Sequence, residues 1–302
     1  MSTAPAARSA SAAASPAALP LRVALPKGRM HGGVVRLLDE AGIRLRMTAR
    51  DYRPTISLPD TTVKILKPQS IVEMLHAGAR DLGFAGADWV AELDANLVEV
   101  LDTGLDAVEL VAAAPESILA DGRLPARRII VASEMPRLTE AWIRERGLDA
   151  TLLRSWGATE VLPPEDADCI VDITATGATL AANGLEIVDV LRRSSTRLYA
   201  SRAAWEDPAR RAAIERVRML LESVLAARRR VMLELNVDAE RLDRIVDIIP
   251  CMREPTISTL RGSQGYAVKA AVPRDVLPTL IPELRRAGGT DLVISDIQQI
   301  IA

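Results

Sequence analysis

The sequence predicts an α/β protein whose strands and helices alternate along most of the chain. Short apolar segments, such as residues 21–25 and 128–132, have the length and composition of buried strands. Amphipathic segments such as residues 136–146 separate them and have helical spacing. Apolar residues form 49% of the chain and aromatic residues only 3%, so aliphatic side chains must build the core. The alternation favours a mainly parallel sheet.

The first part of the chain contains three predicted strands and the helices between them. The strands are expected at residues 21–25, 63–66 and 81–86, and the helices at residues 34–41 and 70–78. Ser70 and Glu73 have the spacing of a capping box, and Gly42 and Gly78 are suited to end the two helices. Asp88 is predicted to cap the helix that follows the third strand.

A second α/β unit follows. Strands or extended runs are expected at residues 108–114, 128–132, 151–154, 169–173, 187–192 and 197–201, and helices at residues 136–146 and 180–185. Asp207 and Pro208 begin a long amphipathic helix. The basic run Arg228 to Arg230 ends this helix, where positive charge is favourable; nucleic-acid binding is the alternative reading of such a run.

The last part of the chain changes character. Strands are expected at residues 231–237, 256–260, 266–272 and 292–297, and helices at residues 239–249 and 278–287. This βαββαβ order is that of a ferredoxin-like domain. Pro282 conflicts with a regular helix, so the sequence predicts a kink or a late start there.

Composition excludes several functional classes. The net charge of −2 gives no electrostatic reason to expect nucleic-acid binding, and no apolar run is long enough to cross a membrane. Two cysteines, Cys169 and Cys251, exclude a disulfide framework and suit a reducing compartment. Two histidines exclude a His-rich metal site. Residues 1–20 are rich in Ala, Ser and Pro and are predicted to be a disordered tail, although they faintly resemble a transit peptide.

The segment D-I-T-A-T-G-A-T-L, residues 172–180, carries the clearest chemical pattern. A buried strand runs into hydroxyl residues and Gly177 before a helix, so backbone N–H groups and the helix dipole favour an anionic phosphate. Asp168 and Asp172 flank the strand and are candidates for magnesium or ribose hydroxyls. The alternative is an ordinary strand-to-helix turn, with Thr176 as N-cap.

Other candidate residues follow the predicted strands. Lys27 and Arg29 lie just past the first strand, where open α/β sheets bind ligands, and suit a polyphosphate; a solvated loop is the alternative. The glycines of residues 83–88 allow close approach of a ligand, although a tight turn explains them equally. Glu160 alone is interpreted as a surface acid, and Trp156 as a packing residue rather than a base-stacking platform.

Taken together, these segments resemble the long form of ATP phosphoribosyltransferase, the first enzyme of histidine biosynthesis. The resemblance extends from about residue 21 to the C-terminus. It rests on L-R-V-A-L-P-K-G-R near the start, D-L-G-F-A-G-A-D at 81–88, A-S-E-M-P-R-L-T at 132–139, G-A-T-E at 157–160, D-I-T-A-T-G-A-T-L-A-A-N-G-L at 172–185 and P-C-M-R-E-P-T-I-S at 250–258. Any one of these motifs is weak, but all of them in this order make a specific match.

The resemblance implies a catalytic core of two lobes, like a periplasmic binding protein, followed by an ACT-like regulatory domain. It divides the chain into catalytic domain I (21–112 and 195–225), catalytic domain II (113–194) and a regulatory domain (226–302). It implies a cytoplasmic homo-oligomer, from dimer to hexamer, that binds ATP, phosphoribosyl pyrophosphate and Mg²⁺. The adenine N1 attacks the anomeric carbon, and pyrophosphate leaves.

The resemblance also assigns site residues. Catalytic roles fall on Lys27, Arg29, Glu160 and Asp172, of which Glu160 and Asp172 face the metal. Phosphoribosyl pyrophosphate is assigned to Asp168, Thr174, Ala175, Thr176, Gly177, Ala178, Thr179 and Leu180. ATP is assigned to Lys27, Gly28, Arg29, Lys67, Gly86 and Asp88. The effector histidine, bound between regulatory domains of neighbouring subunits, is assigned to Asn236, Thr256, Ala271 and Asp291.

Two positions depart from the family pattern. Lys67 stands where many relatives carry Arg, so a bidentate contact is lost although the charge is kept. Asn236 stands where an acid is expected, which predicts weaker inhibition by histidine. Two rival hypotheses remain at this point: a non-catalytic bilobal binding or sensor protein, since fold alone does not fix function, and a paralogue with a different substrate.

Overall fold

The computed structural model describes residues 20–47, 52–262 and 264–301. The predicted N-terminal tail, residues 1–20, lies outside this part of the chain except for Pro20. The strands are β1 (Leu21–Pro26), β2 (Leu45–Arg46), β3 (Thr55–Ile56), β4 (Thr61–Leu66), β5 (Leu82–Gly86), β6 (Leu97–Pro115), β7 (Ile129–Ser133), β8 (Ala150–Arg154), β9 (Cys169–Thr174), β10 (Leu185–Ser201), β11 (Arg230–Asp238), β12 (Thr256–Thr259), β13 (Gly265–Pro273) and β14 (Thr290–Asp296). The helices are α1 (Arg29–Glu40), α2 (Pro68–His76), α3 (Ala87–Glu92), α4 (Pro136–Arg146), α5 (Ala178–Ala182), α6 (Arg202–Glu206), α7 (Pro208–Arg228), α8 (Leu242–Ile248) and α9 (Leu277–Ala287).

One eight-stranded sheet has the order β4-β1-β5-β10-β6-β9-β7-β8. β1 is parallel to β4 and β5, and β7 is parallel to β8 and β9, but β6 and β10 are antiparallel to their neighbours. The sheet is therefore mixed, and the sequence-based expectation of a mainly parallel sheet is wrong at its centre. We call the part with β4, β1 and β5 the first lobe, and the part with β9, β7 and β8 the second lobe.

The long strands β6 and β10 run through both lobes. They pair at Leu101 and Leu198 in the first lobe and at Val111 and Val190 in the second, with register shifts between these points. The two strands predicted at 187–192 and 197–201 are thus one continuous strand, bent by bulges. The proposed domain divisions at 112/113 and 194/195 fall inside β6 and β10.

Helices cover both faces of the sheet in each lobe. In the first lobe, α1 and the apolar stripe of α7 bury one face, and α2 packs on the other. Asp207 caps α7 by accepting a hydrogen bond from the Arg210 N–H, and Pro208 begins the helix, as predicted. In the second lobe, α4 and α5 cover opposite faces. The lobes also meet where Glu92 of α3 accepts hydrogen bonds from the Arg137 and Leu138 N–H groups at 3.0 and 2.9 Å, at the N-terminus of α4.

Several predicted helix boundaries are wrong. The helix α2 begins at Pro68, so Ser70 lies inside it and makes no capping box. Asp88 lies in the first turn of α3, whose N-cap is Gly86. α5 ends at Ala182 and Leu185 already belongs to β10, because the chain must turn back into the sheet after only five helical residues.

The C-terminal part forms its own four-stranded antiparallel sheet, in the order β12-β13-β11-β14. The element order is the predicted βαββαβ. Helices α8 and α9 pack on one face, where they bury alternate residues of the strands. α9 begins at Leu277, so the predicted late start is wrong, and Pro282 lies within the helix. The proposed division at 225/226 falls near the end of α7, which leads directly into β11.

Candidate active site

Three neighbouring strands of the first lobe end at one edge of the sheet. Lys27 follows β1, Lys67 follows β4, and Gly86 ends β5. The Lys27 N–H donates to the Leu66 carbonyl at 2.8 Å, which fixes the two strand ends side by side. The carboxyl ends of parallel strands are where open α/β sheets bind ligands, so the predicted residues lie at the right edge.

A cleft cavity of about 180 Å³ lies between the lobes at this edge. Lys27, Arg29, Gly86 and Asp88 line it from the first lobe, and Ile173 of β9 lines it from the second. The structure therefore brings together four of the residues assigned to ATP. Gly28 is not among the lining residues; its φ of 79° makes it the N-cap of α1, a conformation that glycine adopts without strain.

Polar residues of the bulged part of β10 form the floor of this cavity, and sequence reasoning missed them. Ser194, Ser195 and Thr196 all line it. The Ser194 hydroxyl donates to the Asp88 carboxylate at 2.9 Å and accepts from the Asp88 N–H at 3.0 Å. Thr196 donates to Asp106 at 2.9 Å. These bonds hold a buried carboxylate, Asp88, in a defined place. The only sequence signal was three adjacent hydroxyl residues in a strand.

Gly86 is required for this arrangement. A methyl group at this position would overlap the carboxylate of Asp88. Glycine was predicted here to let a ligand approach the backbone. The structure gives a further reason, because the lack of a side chain leaves room for the Asp88 carboxylate.

The predicted phosphate loop connects β9 with α5. Gly177 has a φ of 75° and is the N-cap of α5, so the alternative with Thr176 as N-cap is wrong. The Gly177 N–H donates to the Thr174 hydroxyl at 2.8 Å, and the Ala178 N–H donates to the Thr176 hydroxyl at 3.4 Å. Two of the N–H groups expected to be unpaired are therefore held by the loop's own hydroxyls, which a phosphate would have to displace.

Three carboxylates interact at the same end of β9. The pKa of Asp172 is raised to about 6: burial is the largest cause, and the nearby Glu160 and Glu134 carboxylates add to it, against a hydrogen bond from the Ile173 N–H at 2.7 Å that lowers it. Glu160 is thus part of an acidic group and not an isolated surface acid. Glu134 belongs to the A-S-E-M-P segment, but sequence reasoning assigned it no role because its neighbours come from distant parts of the chain.

Asp168 lies apart from this acidic group, at the other end of β9. It precedes β9, and four residues along a strand separate it from Asp172 by roughly 13 Å. Its carboxylate accepts from the Arg127 guanidinium at 2.7 Å and from the Ile130 N–H at 2.8 Å. Partial burial raises the pKa of Asp168, but these two donors outweigh it and the pKa is lowered.

The side chains available as ligands determine which kind of metal site is possible. Among the described residues, no three His, Cys, Asp or Glu side chains are grouped as metal ligands. Mg²⁺ in nucleotide sites takes one or two carboxylates and completes its shell with phosphate oxygens and water. Asp172 and Glu160 fit that pattern, whereas a metal held by protein groups alone does not fit.

Trp156 is not a packing residue, contrary to the sequence-based interpretation. Its side chain is 80% exposed, and the Arg154 guanidinium stacks on its ring at 4.1 Å from the centroid. One ring face is covered by this cation–π contact.

A separate cavity of about 400 Å³ lies on the open face of the C-terminal sheet. Asn236, Thr256 and Asp291 line it, but Ala271 is not among the lining residues. The Asn236 amide donates to the Asp291 carboxylate at 3.0 Å. Three of the four residues assigned to the effector therefore share one cavity, where Asp291 and Glu234 supply carboxylates, the latter paired with Lys269.

Comparison with known proteins agrees with this geometry. The ATP phosphoribosyltransferase family profile matches residues 67–223, and the profile of the HisG C-terminal domain matches residues 227–299. An ATP phosphoribosyltransferase of Pelotomaculum thermopropionicum is 36% identical over 288 residues, which cover 93% of this chain and 99% of that protein. Its counterpart in Chlorobium chlorochromatii is 35% identical over 286 residues, which cover 93% and 97%.

A solved structure shares the fold. It is described as an ATP phosphoribosyl transferase (HisG:HisZ) complex from Thermotoga maritima, and it superposes with a TM-score of 0.59 at 24% identity, over 67% of this chain and 98% of that chain. The profiles and the full-length relatives show that the chain belongs to the ATP phosphoribosyltransferase family, enzymes of the first step of histidine biosynthesis.

Proposed function

We propose that the cleft joins ATP to phosphoribosyl pyrophosphate. The observation that carries this proposal is the cleft cavity itself, which faces Lys27 and Arg29 on one lobe and the end of β9 on the other. In the reaction, the bond between adenine N1 and the anomeric carbon forms as the bond from that carbon to the pyrophosphate oxygen breaks. Positive charge develops on the ribose ring, so the enzyme needs anchored phosphates and no nucleophilic side chain.

The loop after β9 holds the 5-phosphate of the phosphoribosyl group in this proposal. Its donors are the hydroxyls of Thr174, Thr176 and Thr179 and the backbone N–H groups of the segment through Leu180. The hydroxyls that now bond within the loop turn towards the ligand. Ala175 and Ala178 contribute only backbone, and their small side chains leave the phosphate room.

The polyphosphate groups lie against the first lobe. Lys27, Arg29 and Lys67 neutralise them, and Asp88, fixed by Ser194, orients the nucleotide. Mg²⁺, when bound, supplies charge neutralisation for the leaving pyrophosphate. Asp172 and Glu160 would hold it together with substrate oxygens, which accords with their position at the end of β9.

The two lobes constitute a core like that of a periplasmic binding protein, with β6 and β10 as the connection that bends. Register shifts in β10 next to Ser194 and Thr196 support this, since irregular pairing leaves fewer ladder bonds to strain. We assign catalytic domain I to 21–112 and 195–225, and catalytic domain II to 113–194.

Residues 226–302 form an ACT-like regulatory domain in this proposal. Its open sheet face carries the cavity with Asn236, Thr256 and Asp291, where the ammonium group of histidine would meet the Asp291 carboxylate. An open sheet face of this kind is suited to pairing with another subunit, so we propose a homo-oligomer, from dimer to hexamer. No helix among the described residues is long and apolar enough to span a bilayer. We propose a cytoplasmic location, which fits a biosynthetic enzyme with free cysteines.

The direct test is an assay of the purified chain with ATP, phosphoribosyl pyrophosphate and Mg²⁺. We expect phosphoribosyl-ATP and pyrophosphate in equal amounts, without any partner subunit. Binding of both ligands without turnover would favour the sensor hypothesis. Turnover with a different nucleotide would favour a paralogue with a different substrate.

A further inference from the structure

The short helix α3 of the first lobe contacts both the cleft and the second lobe. Asp88 and Trp89, in its first turn, line the cleft cavity. Trp89 packs against the apolar cores of both lobes. One turn further along, the Glu92 carboxylate lies at the N-terminus of α4, which belongs to the second lobe. A change in the angle between the lobes would therefore disturb a helix that also forms part of the cleft wall.

The N-terminus of α4 has no local cap. Its N-cap residue, Met135, makes no side-chain capping bond, and Pro136 has no N–H to donate. The next two N–H groups, those of Arg137 and Leu138, donate to the Glu92 carboxylate at 3.0 and 2.9 Å. Negative charge at this end of a helix is also favoured by the helix dipole. Two backbone donors of the second lobe thus depend on one side chain of the first.

Arg137 extends this contact at its exposed side. Its guanidinium donates to the Ala91 carbonyl at 2.6 Å and pairs with Asp94 at 2.7 Å. The Arg137 and Asp94 side chains are 50% and 77% exposed, and ion pairs in water contribute little. Glu92 is only 7% exposed, and hydrogen bonds to an ionised carboxylate are stronger than neutral ones. Glu92 is therefore the main residue of this contact between the lobes.

A simpler explanation is that Glu92 only stabilises α4. Helix α7 shows that a cap can come from the residue next to the helix, since Asp207 accepts from the Arg210 N–H at 2.9 Å. The cap of α4 comes from the other lobe, so the two bonds persist only while the lobes keep their relative position. The strands β6 and β10 connect the lobes through irregular pairing. A third contact, away from these strands, restricts how far they can bend.

We propose that Glu92 is a positioning residue, which holds the second lobe at the angle where the two substrates meet. The proposal rests on the function proposed above, because the ATP phosphates are assigned to the first lobe and the phosphoribosyl group to the second. The bond between adenine N1 and the anomeric carbon must form across the cleft. The angle between the lobes therefore sets the distance between the reacting atoms, and Glu92 acts on it without contact to either substrate.

The first measurement is steady-state kinetics of the full chain with Glu92→Ala and with Asp207→Ala, which removes a carboxylate cap within one lobe. A misplacement of about 1 Å can cost on the order of a hundredfold in rate, so we expect kcat of Glu92→Ala to fall by about tenfold to a hundredfold. Asp207→Ala should keep the wild-type kcat. Glu92→Gln keeps an acceptor oxygen but loses the charge, so its loss should be smaller, and it serves where Glu92→Ala does not fold. Affinity for ribose 5-phosphate, measured by calorimetry, should be unchanged in every variant because this ligand contacts the second lobe alone.

The second measurement reports the lobe angle without any reaction. Spin labels are attached to Glu73→Cys in α2 and Glu145→Cys in α4, both exposed positions, after the partly exposed Cys251 is replaced by Ser. The labelled chain is diluted with unlabelled chain, so that the distances measured lie within one chain. Pulsed electron paramagnetic resonance should give a narrow distance distribution in the wild type and in Asp207→Ala, and a broad one in Glu92→Ala.

The two measurements separate this proposal from the proposed function. A broad distribution in Glu92→Ala together with a lower kcat supports the positioning role. A wild-type kcat in Glu92→Ala, an equal fall of kcat in Asp207→Ala, or a lower kcat with an unchanged distribution overturns it, while turnover by the wild type leaves the proposed function intact. If the wild type makes no phosphoribosyl-ATP but the distribution broadens in Glu92→Ala, the contact between the lobes stands and the proposed function falls.

Discussion

The two sides of the cleft recognise anions by different means. On the first lobe, cationic side chains follow the strand ends, and three of the four lysines in the chain gather there. On the second lobe, the loop after β9 has no cationic residue from Thr174 to Leu180 and offers hydroxyls and backbone N–H groups. Three acids, Asp172, Glu160 and Glu134, interact at the end of β9 where this loop begins.

This difference suggests a division of work between the lobes. Long cationic side chains tolerate a flexible chain of phosphates, because each follows its own phosphate. A loop of N–H groups and hydroxyls has fixed geometry, so it suits a single phosphate that must hold one ribose in place for attack. Acids beside that loop would repel a polyphosphate unless a metal lay between them. Substitutions on either side of the cleft test whether the two lobes differ in this way.

The largest effect is expected in the second-lobe loop. Gly177→Val places a branched side chain at a φ of 75° and points it at Ile187, and Thr179→Ala removes a hydroxyl. If these contacts strengthen in the transition state, each change should lower turnover by about a hundredfold or more. Steady-state kinetics measure this, with Thr279→Ala in α9 as the matched control. Unchanged kcat in both loop variants, with the fold intact, would remove the loop from the site.

One buried carboxylate, that of Asp81, stabilises the lobe that carries the cationic side chains. Asp81 is fully buried and binds Arg22 at 2.8 Å and Arg210 at 3.2 Å. Asp81→Asn leaves both guanidiniums without their anion, so we expect a loss of about 2–3 kcal/mol, less than for a fully buried pair because Arg22 is partly exposed. Denaturant unfolding measures it. Glu109→Gln, which breaks the exposed pair with Arg193, should cost about 1 kcal/mol or less.

The same carboxylate gives the stability a pH dependence. Burial raises the pKa of Asp81, but the hydrogen bonds and charge of Arg22 outweigh it, and the folded-state pKa is lowered. The contribution is thus complete above the unfolded-state value, about 4, and is lost as the pH falls through the folded-state value. Wild-type stability should fall more steeply than that of Asp81→Asn below about pH 4. Parallel curves for the two proteins would contradict this account.

How much of this arrangement the sequence predicts depends on whether the residues that meet in the fold are also close together in the chain. Lys27 was expected just past the first strand, and Gly86 at the end of a predicted strand. Because β1, β4 and β5 are parallel, the structure brings these positions and Lys67 to one sheet edge. The first half of β6 was missed, since D-T-G at 102–104 has the composition of a turn. In the structure these residues form an irregular stretch of the strand, with Gly104 at a φ of 65°.

Side chains that meet only through tertiary contact were missed or misassigned. Glu134, which follows β7, raises the pKa of Asp172, and Arg80 lowers that of Lys64; neither relation has a local signal in the sequence. Asp168 and Asp172 were expected to flank one strand, and that strand separates them, so Asp168 binds Arg127 and the Ile130 N–H instead of joining the acidic group.

A smaller effect, on inhibition by histidine, is expected from substitutions in the C-terminal cavity. Asn236→Asp adds a carboxylate next to Asp291, so the cavity should attract the histidine ammonium more strongly and inhibition should become several-fold tighter. Asn236→Leu, which removes the amide without adding charge, is the control. The measurement is a histidine titration of turnover, with a chain that ends near Arg230 as a further arm. Unchanged inhibition in that shortened, active chain would exclude a regulatory role for the domain.

The division of work between the two lobes has one direct test, a crosswise binding measurement with ATP and ribose 5-phosphate, a ligand that carries the single phosphate but no polyphosphate. Calorimetry on wild type, Lys67→Gln and Thr179→Ala gives six dissociation constants. Lys67→Gln should weaken ATP binding by about tenfold and leave ribose 5-phosphate unchanged, and Thr179→Ala should do the reverse. Equal losses for both ligands in both variants would show that the two edges do not divide the substrates between them.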